Sequence, residues 1–159
     1  MDVVLFEPDI PWNTGNVGRT CLATGCQLNL VGELGFSLDA AQVKRSGLDY
    51  WERVQPRVHA DWDAFLSTAR PRAPFYFFST KGKLDFWQAS YQPEGYLIFG
   101  CETKGLPPMF HERYGDQMYR IPIVQGSVRS LNLSTAAGIV IYEALRQVNL
   151  HQAPNPAFR

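Results

Sequence analysis

Four hydrogen-bonding side chains crowd the mouth of one apolar helix. They are Arg129, Ser130, Asn132 and Ser134 in VRSLNLSTAAGIVIYEAL, residues 128–145. A helix start leaves about four backbone N–H groups without partners, and a cap from Ser130 or Asn132 satisfies one or two of them. The remaining polar groups are free to face a ligand. A second polar stretch, EPDIPWNTGNVGRTCLATG at 7–25, sets Asn13 and Asn16 beside Gly15 and Gly18 and ends in Arg19. It reads as a tight turn into a helix over 16–24, where a cation near the helix start invites a compensating anion such as phosphate. The third, GCETKGLPP at 100–108, holds Glu102 as its only carboxylate. As a solvated loop residue Glu102 pairs with Lys104, and Gly100 leaves room for a ligand beside the backbone. A single acid does not make the paired-carboxylate pattern of glycosidases. Neither Gly-x-Gly-x-x-Gly nor Gly-Lys-Ser/Thr occurs in these loops, which leaves the dinucleotide and P-loop patterns unmet.

Short apolar runs must position these loops. VVLF (3–6), LNLV (28–31), FYFF (75–78), YLIF (96–99) and YRIPIV (119–124) read as strands buried on both faces. Candidate helices lie between them at 16–24, 39–47, 62–69 and 107–114, with a last one at about 131–149. Asp61 is a candidate cap for the 62–69 helix, and Pro71 ends it. Alternation of this kind predicts an α/β fold with a mostly parallel sheet flanked by helices. Ligands in such sheets sit outside the carboxyl ends of the strands, here the loops after residues 6, 78, 99 and 124. The thin stretch Ala136, Ala137 and Gly138 in the last helix suggests another backbone passing close by.

Length and charge narrow the class. The 159 residues suit about one domain, expected over 1–150, with HQAPNPAFR at 151–159 as a loose tail. Lys plus Arg and Asp plus Glu number 15 each, so bulk charge does not drive nucleic-acid binding. A local basic patch from Lys44, Arg45, Arg53 and Arg57 is compatible with that balance. Cys21, Cys26 and Cys101, with His59, His111 and His151, fit neither a disulfide framework nor a zinc site, and no metal is expected. No run approaches the roughly 18 apolar residues of a membrane span, and the start lacks a signal-peptide pattern. A cytoplasmic protein is expected.

NTGNVGR (13–19), LIFGCETKGLP (97–107) and IPIVQGSVRSLNLSTAAGIVIYEAL (121–145), in this order and spacing, resemble the three motifs of the SPOUT methyltransferases. The likeness is nearest to small tRNA 2′-O-ribose methyltransferases that modify the wobble nucleotide, cytidine or modified uridine 34, of leucine tRNAs. It runs from Val3 to about Leu150 and includes GLDY at 47–50; Cys101 stands where many relatives have proline. The resemblance implies a C-terminal deep trefoil knot, an exception to unknotted topology. It also implies a homodimer with the active site near the subunit interface, S-adenosylmethionine as methyl donor, S-adenosylhomocysteine as product, and tRNA as partner. By position, Phe78, Gly100, Ile121, Ser130 and Leu133 would hold the donor. Asn13, Arg19, Glu102 and Asn132 would serve catalysis on the tRNA side, and Arg19, Lys44, Arg45 and Arg129 would hold RNA. Other readings are a SPOUT enzyme for another tRNA position or for rRNA, a Rossmann-type nucleotide enzyme, and a non-catalytic RNA-binding module.

Overall fold

The computed structural model describes residues 1–37 and 50–150. Seven strands form one sheet among the described residues: β1 (Asp2–Phe6), β2 (Gln27–Val31), β3 (Arg57–His59), β4 (Phe75–Phe78), β5 (Leu84–Asp85), β6 (Tyr96–Phe99) and β7 (Met118–Arg120). Their spatial order is β3-β2-β1-β6-β4-β7-β5, and every pairing is parallel. The helices are α1 (Pro11–Thr24), α2 (Trp51–Val54), α3 (Trp62–Thr68), α4 (Pro108–Tyr114) and α5 (Leu133–Leu150). Among the described residues no helix is long and apolar enough to cross a membrane.

The strands read as continuous apolar runs because successive side chains enter two different cores. Val3, Leu5, Leu28, Leu30, Tyr76, Phe78, Leu97 and Phe99 pack with Val17 of α1 and with Ala137, Val140, Ile141 and Ala144 of α5. Val4, Phe6, Val31, Phe77, Tyr96 and Ile98 pack on the other face against Trp62 and Phe65 of α3 and Phe110 of α4. Asp61 caps α3 as expected, its Oδ1 accepting from Ala64 N at 2.8 Å.

Several boundaries differ from the sequence reading, each for a local reason. α1 begins at Pro11, five residues early, because proline at a first helical position needs no N–H partner. Gly15 and Gly18 therefore lie inside a helix, not in a turn, and a Cβ on Gly18 would come within 3.0 Å of Trp51 of α2. β7 stops at Arg120 and does not run to Val124, since Pro122 has no N–H to give a ladder. β3, β5 and α2 are too short to carry a period, and the sequence reading missed them. The expected helix at 39–47, with Lys44 and Arg45, lies outside the described residues. A Cβ placed on Gly138 meets nothing within 4 Å, so no close approach among the described residues demands that glycine, whereas its neighbour Ala137 is fully buried.

A buried polar line crosses the α3 face of the sheet. Arg70 Nη2 donates to Asp2 Oδ1 at 3.1 Å and to the Glu94 carbonyl at 2.8 Å, with its guanidinium over Tyr96. Asn29 Nδ2 donates to Asp2 Oδ2, which leaves Asn29 Oδ1 to accept from His59 Nε2 at 3.1 Å. Burial and then the Arg57 cation push the His59 imidazole below its ordinary value. The unfolded chain thus takes up this proton near pH 6.5 while the folded chain resists it, so stability falls as pH drops from about 7 toward 5. Urea midpoints at pH 7 and 5.5 should fall less in His59→Gln than in the wild type. Equal losses would show that His59 is not the titrating group.

Candidate active site

The loops that matter leave the sheet at one level. Leu5 and Phe78 both pair with Phe99, so the segments after β1, β4 and β6 emerge side by side. With the segment after β7 they enclose a cavity of about 550 Å³. That volume lies in the range of about 300–1,000 Å³ typical of cofactor sites. Phe78, Phe99, Leu106, Ile121 and Leu133 supply apolar wall, while Asn13, Glu102, Ser130 and Asn132 supply polar groups. Phe78 and Phe99 stack with centroids 4.9 Å apart.

A chain of hydrogen bonds ties the three polar motifs together. Glu102 Oε2 accepts from Asp9 N at 2.8 Å, and its Oε1 accepts from Asn13 Nδ2 at 2.9 Å. Asn13 Oδ1 accepts from Asn132 Nδ2 at 2.9 Å. Asn132 Oδ1 then accepts from Ser134 N at 2.9 Å, Ser134 Oγ at 2.7 Å and Thr135 N at 3.3 Å, which caps α5. A carboxylate only accepts, so Asn13 must turn its amino group toward Glu102, and each following amide is oriented in turn. Glu102 is thus engaged by Asp9 and Asn13, and the expected pairing with Lys104 is not formed. Asn132, not Ser130, is the cap.

Asp9 is the residue that sequence reading missed. Thr103 Oγ1 donates to Asp9 Oδ2 at 2.6 Å, holding the Asp9 carboxyl below its ordinary range. Asp9 and the 102–103 segment therefore exchange hydrogen bonds in both directions. The available signal was its place in the loop just after β1.

Gly100 is required by the loop itself. A Cβ there would overlap the backbone of Gly105 and Leu106, where Gly105 N bonds to the Cys101 carbonyl at 3.0 Å. Gly100 also lines the cavity, and the turn demands its lack of a side chain, a reason the sequence reading did not give.

Arg19 does not join this cavity. It sits in the second half of α1, not at the start, so the dipole reading of its position fails. Six residues past Asn13, it points about a third of a turn away around the helix and about 9 Å along it. Its guanidinium lies 5.3 Å from the centroid of the Tyr50 ring. Arg129 is exposed at the cavity mouth, whereas Arg53 on α2 and Arg57 on β3 are exposed and outside the lining. Phe78, Gly100, Ile121, Ser130 and Leu133 all line it.

Residues 1–142 match the SpoU rRNA Methylase family. The chain belongs to that family. It is 47% identical over 148 residues to the tRNA (cytidine(34)-2′-O)-methyltransferase of Burkholderia pseudomallei, covering 92% of this chain and 94% of that one. A solved structure described as giving insights into the 2-OH methylation of C/U34 on tRNA is 42% identical, with a TM-score of 0.83, covering 92% of this chain and 89% of that one. The AdoMet-bound rRNA methyltransferase of Sinorhizobium meliloti is 28% identical at a TM-score of 0.71, covering 91% of this chain and 55% of that one. The SpoU fold places the cavity at the carboxyl ends of its parallel strands.

Gly100→Ala should cost about 1–3 kcal/mol, as overpacking against fixed backbone does. A thermal melt unchanged from the wild type would show that the loop yields and that the glycine is not demanded by it.

Proposed function

We propose that this chain is an S-adenosylmethionine-dependent tRNA 2′-O-ribose methyltransferase acting on nucleotide 34, cytidine or modified uridine, of leucine tRNAs. The observation that carries the reading is one cavity in which the Glu102–Asn13–Asn132 chain meets the apolar wall of Phe78, Ile121 and Leu133. The likeness to tRNA (cytidine(34)-2′-O)-methyltransferases supports the choice of tRNA and position over ribosomal RNA. Volume and lining fit the donor: apolar walls for the adenine, with the Ser130 hydroxyl for a polar edge.

The donor supplies a methyl group already activated by positive sulfur. The ribose 2′-oxygen bonds to the methyl carbon as the S–C bond breaks, leaving a neutral thioether, and the hydroxyl proton passes to an RNA phosphate oxygen or to water. The enzyme therefore mainly aligns and desolvates the reactants. Asn13 and Asn132 each keep one amide N–H beyond the chain, and these groups fix the ribose. An arginine is not deprotonated in a protein, so Arg19 stabilises the forming alkoxide and holds phosphate.

Because Arg19 points away from the cavity of its own subunit, the reading places it at the cavity of a partner in a homodimer. The exposed Trp12 of α1 and Ile139 and Tyr142 of α5 give that dimer an apolar face. The C-terminal trefoil knot belongs to the same proposal, supported by the return of α5 from the β7 edge onto α1 and the central strand β6.

Treating a leucine tRNA with the protein and donor should place a 2′-O-methyl group at position 34; methylation elsewhere, or none, overturns the substrate. Arg19→Ala and Asn132→Ser, which retains a capping hydroxyl, should each lose most methyl transfer. Mixed and re-equilibrated, the two variants should regain activity, since each mixed dimer holds one intact site. Failure to complement would place Arg19 at its own subunit's cavity or outside the chemistry.

A further inference from the structure

Four cations form ion pairs among the described residues. Arg70 pairs with Asp2, Lys83 with Asp116, Arg120 with Asp85 and Arg146 with Glu143. Lys81, Lys104 and Arg129, all exposed, form no ion pair among the described residues, and all three line the cavity of about 550 Å³. They come from three different loops, those after β4, β6 and β7. The one carboxylate in that lining, Glu102, is committed to Asp9 N and Asn13. Asp9, outside that lining, accepts from the neutral Thr103 hydroxyl and is near enough to Lys104 for the cation to lower its carboxyl. Three cations thus stand against two nearby carboxylates, Glu102 and Asp9, which leaves the rim of the cavity positive on balance.

We propose that Lys81, Lys104 and Arg129 form a collar that grips the RNA phosphates flanking the ribose to be methylated. This rests on the reading of the chain as an RNA methyltransferase, and it adds two lysines that the sequence did not single out for RNA. The donor's carboxylate is another anion that could reach the mouth. It is the weaker match, because the donor carries a sulfonium and an ammonium against one carboxylate, a net charge of about +1. Three cations at a mouth repel such a molecule and attract a polyanion. Bound phosphate neutralises the collar, so donor and RNA strengthen each other's binding, as reciprocal coupling requires.

The test is the salt dependence of binding, read by fluorescence anisotropy on a labelled leucine anticodon stem-loop between about 50 and 200 mM salt. Each phosphate contact on single-stranded RNA contributes about 0.7 to the slope of log K against log salt. Lys81→Gln, Lys104→Gln and Arg129→Gln should each lower the slope by about 0.7, and the triple variant by about 2. Donor affinity by calorimetry without RNA should stay level or rise in the triple variant. Lys83→Gln, outside the cavity and already paired, should leave the slope as in the wild type. A wild-type slope in the triple variant, or an equal loss in Lys83→Gln, overturns the collar. So does an unchanged slope with tenfold weaker donor binding, which would assign these cations to the donor's carboxylate. The slope is a binding quantity, so absent methylation at position 34 would defeat the enzymatic reading while leaving this test intact.

Discussion

Glu102 can only accept hydrogen bonds, and the geometry of the site follows from that. Its two oxygens take one N–H each, from the Asp9 backbone and the Asn13 amide. Asn13 then has only an oxygen to offer Asn132, and Asn132 only an oxygen to offer the start of α5. One carboxylate in the loop after β6 thereby sets the orientation of two amides on two other segments. The same bonds join three segments that are far apart in sequence, with separations of 89 and 119 residues for the two amide links. Partly buried polar groups tied this way lose the freedom to rotate, which is the preorganisation that alignment of two reactants needs.

The sheet supplies the platform for this chain. Parallel strands with both faces covered leave their carboxyl ends as the natural place for irregular, polar backbone. Aromatic side chains fill one core, where Phe77 stacks on Tyr114 with centroids 4.3 Å apart and Phe110 is fully buried. The other core is aliphatic where α5 packs, with Ala137, Val140, Ile141 and Ala144 fully buried. The small residues there bring α5 against α1 and β6, which sets Asn132 within reach of Asn13.

The long central strands were legible from sequence because burial on both faces writes itself as uninterrupted apolar residues. The capping role of Asn132 was legible as one of two candidates, since the residue type and the helix start coincide. The start of α1 was not, because Asn13, Gly15 and Asn16 are turn formers by propensity and tertiary packing overrode them. β3 and β5 pair over three and two residues, too few for a period to show. The engagement of Glu102 by Asp9 and Asn13 is a long-range contact, invisible to local spacing, which offered Lys104 as the near partner. Gly138 shows the opposite error: a local oddity was assigned to a close contact that the described chain does not make. Lys81 and Lys104 became informative only once the loops were seen to share one cavity in which cations outnumber carboxylates.

The most direct measurement is a double-mutant cycle in folding stability between Glu102→Gln and Asn132→Asp. Each change alone leaves the chain with mismatched ends around Asn13. Together they allow it to run in reverse. The new amide at position 102 accepts from Asp9 N and donates to Asn13, and Asn13 donates to the new carboxylate at position 132, which still caps α5. A single polarity-locked chain predicts a favourable coupling within the roughly 0.5–3 kcal/mol seen for residues of one network. Strict additivity of the two changes would mean that Glu102 and Asn132 do not communicate through Asn13.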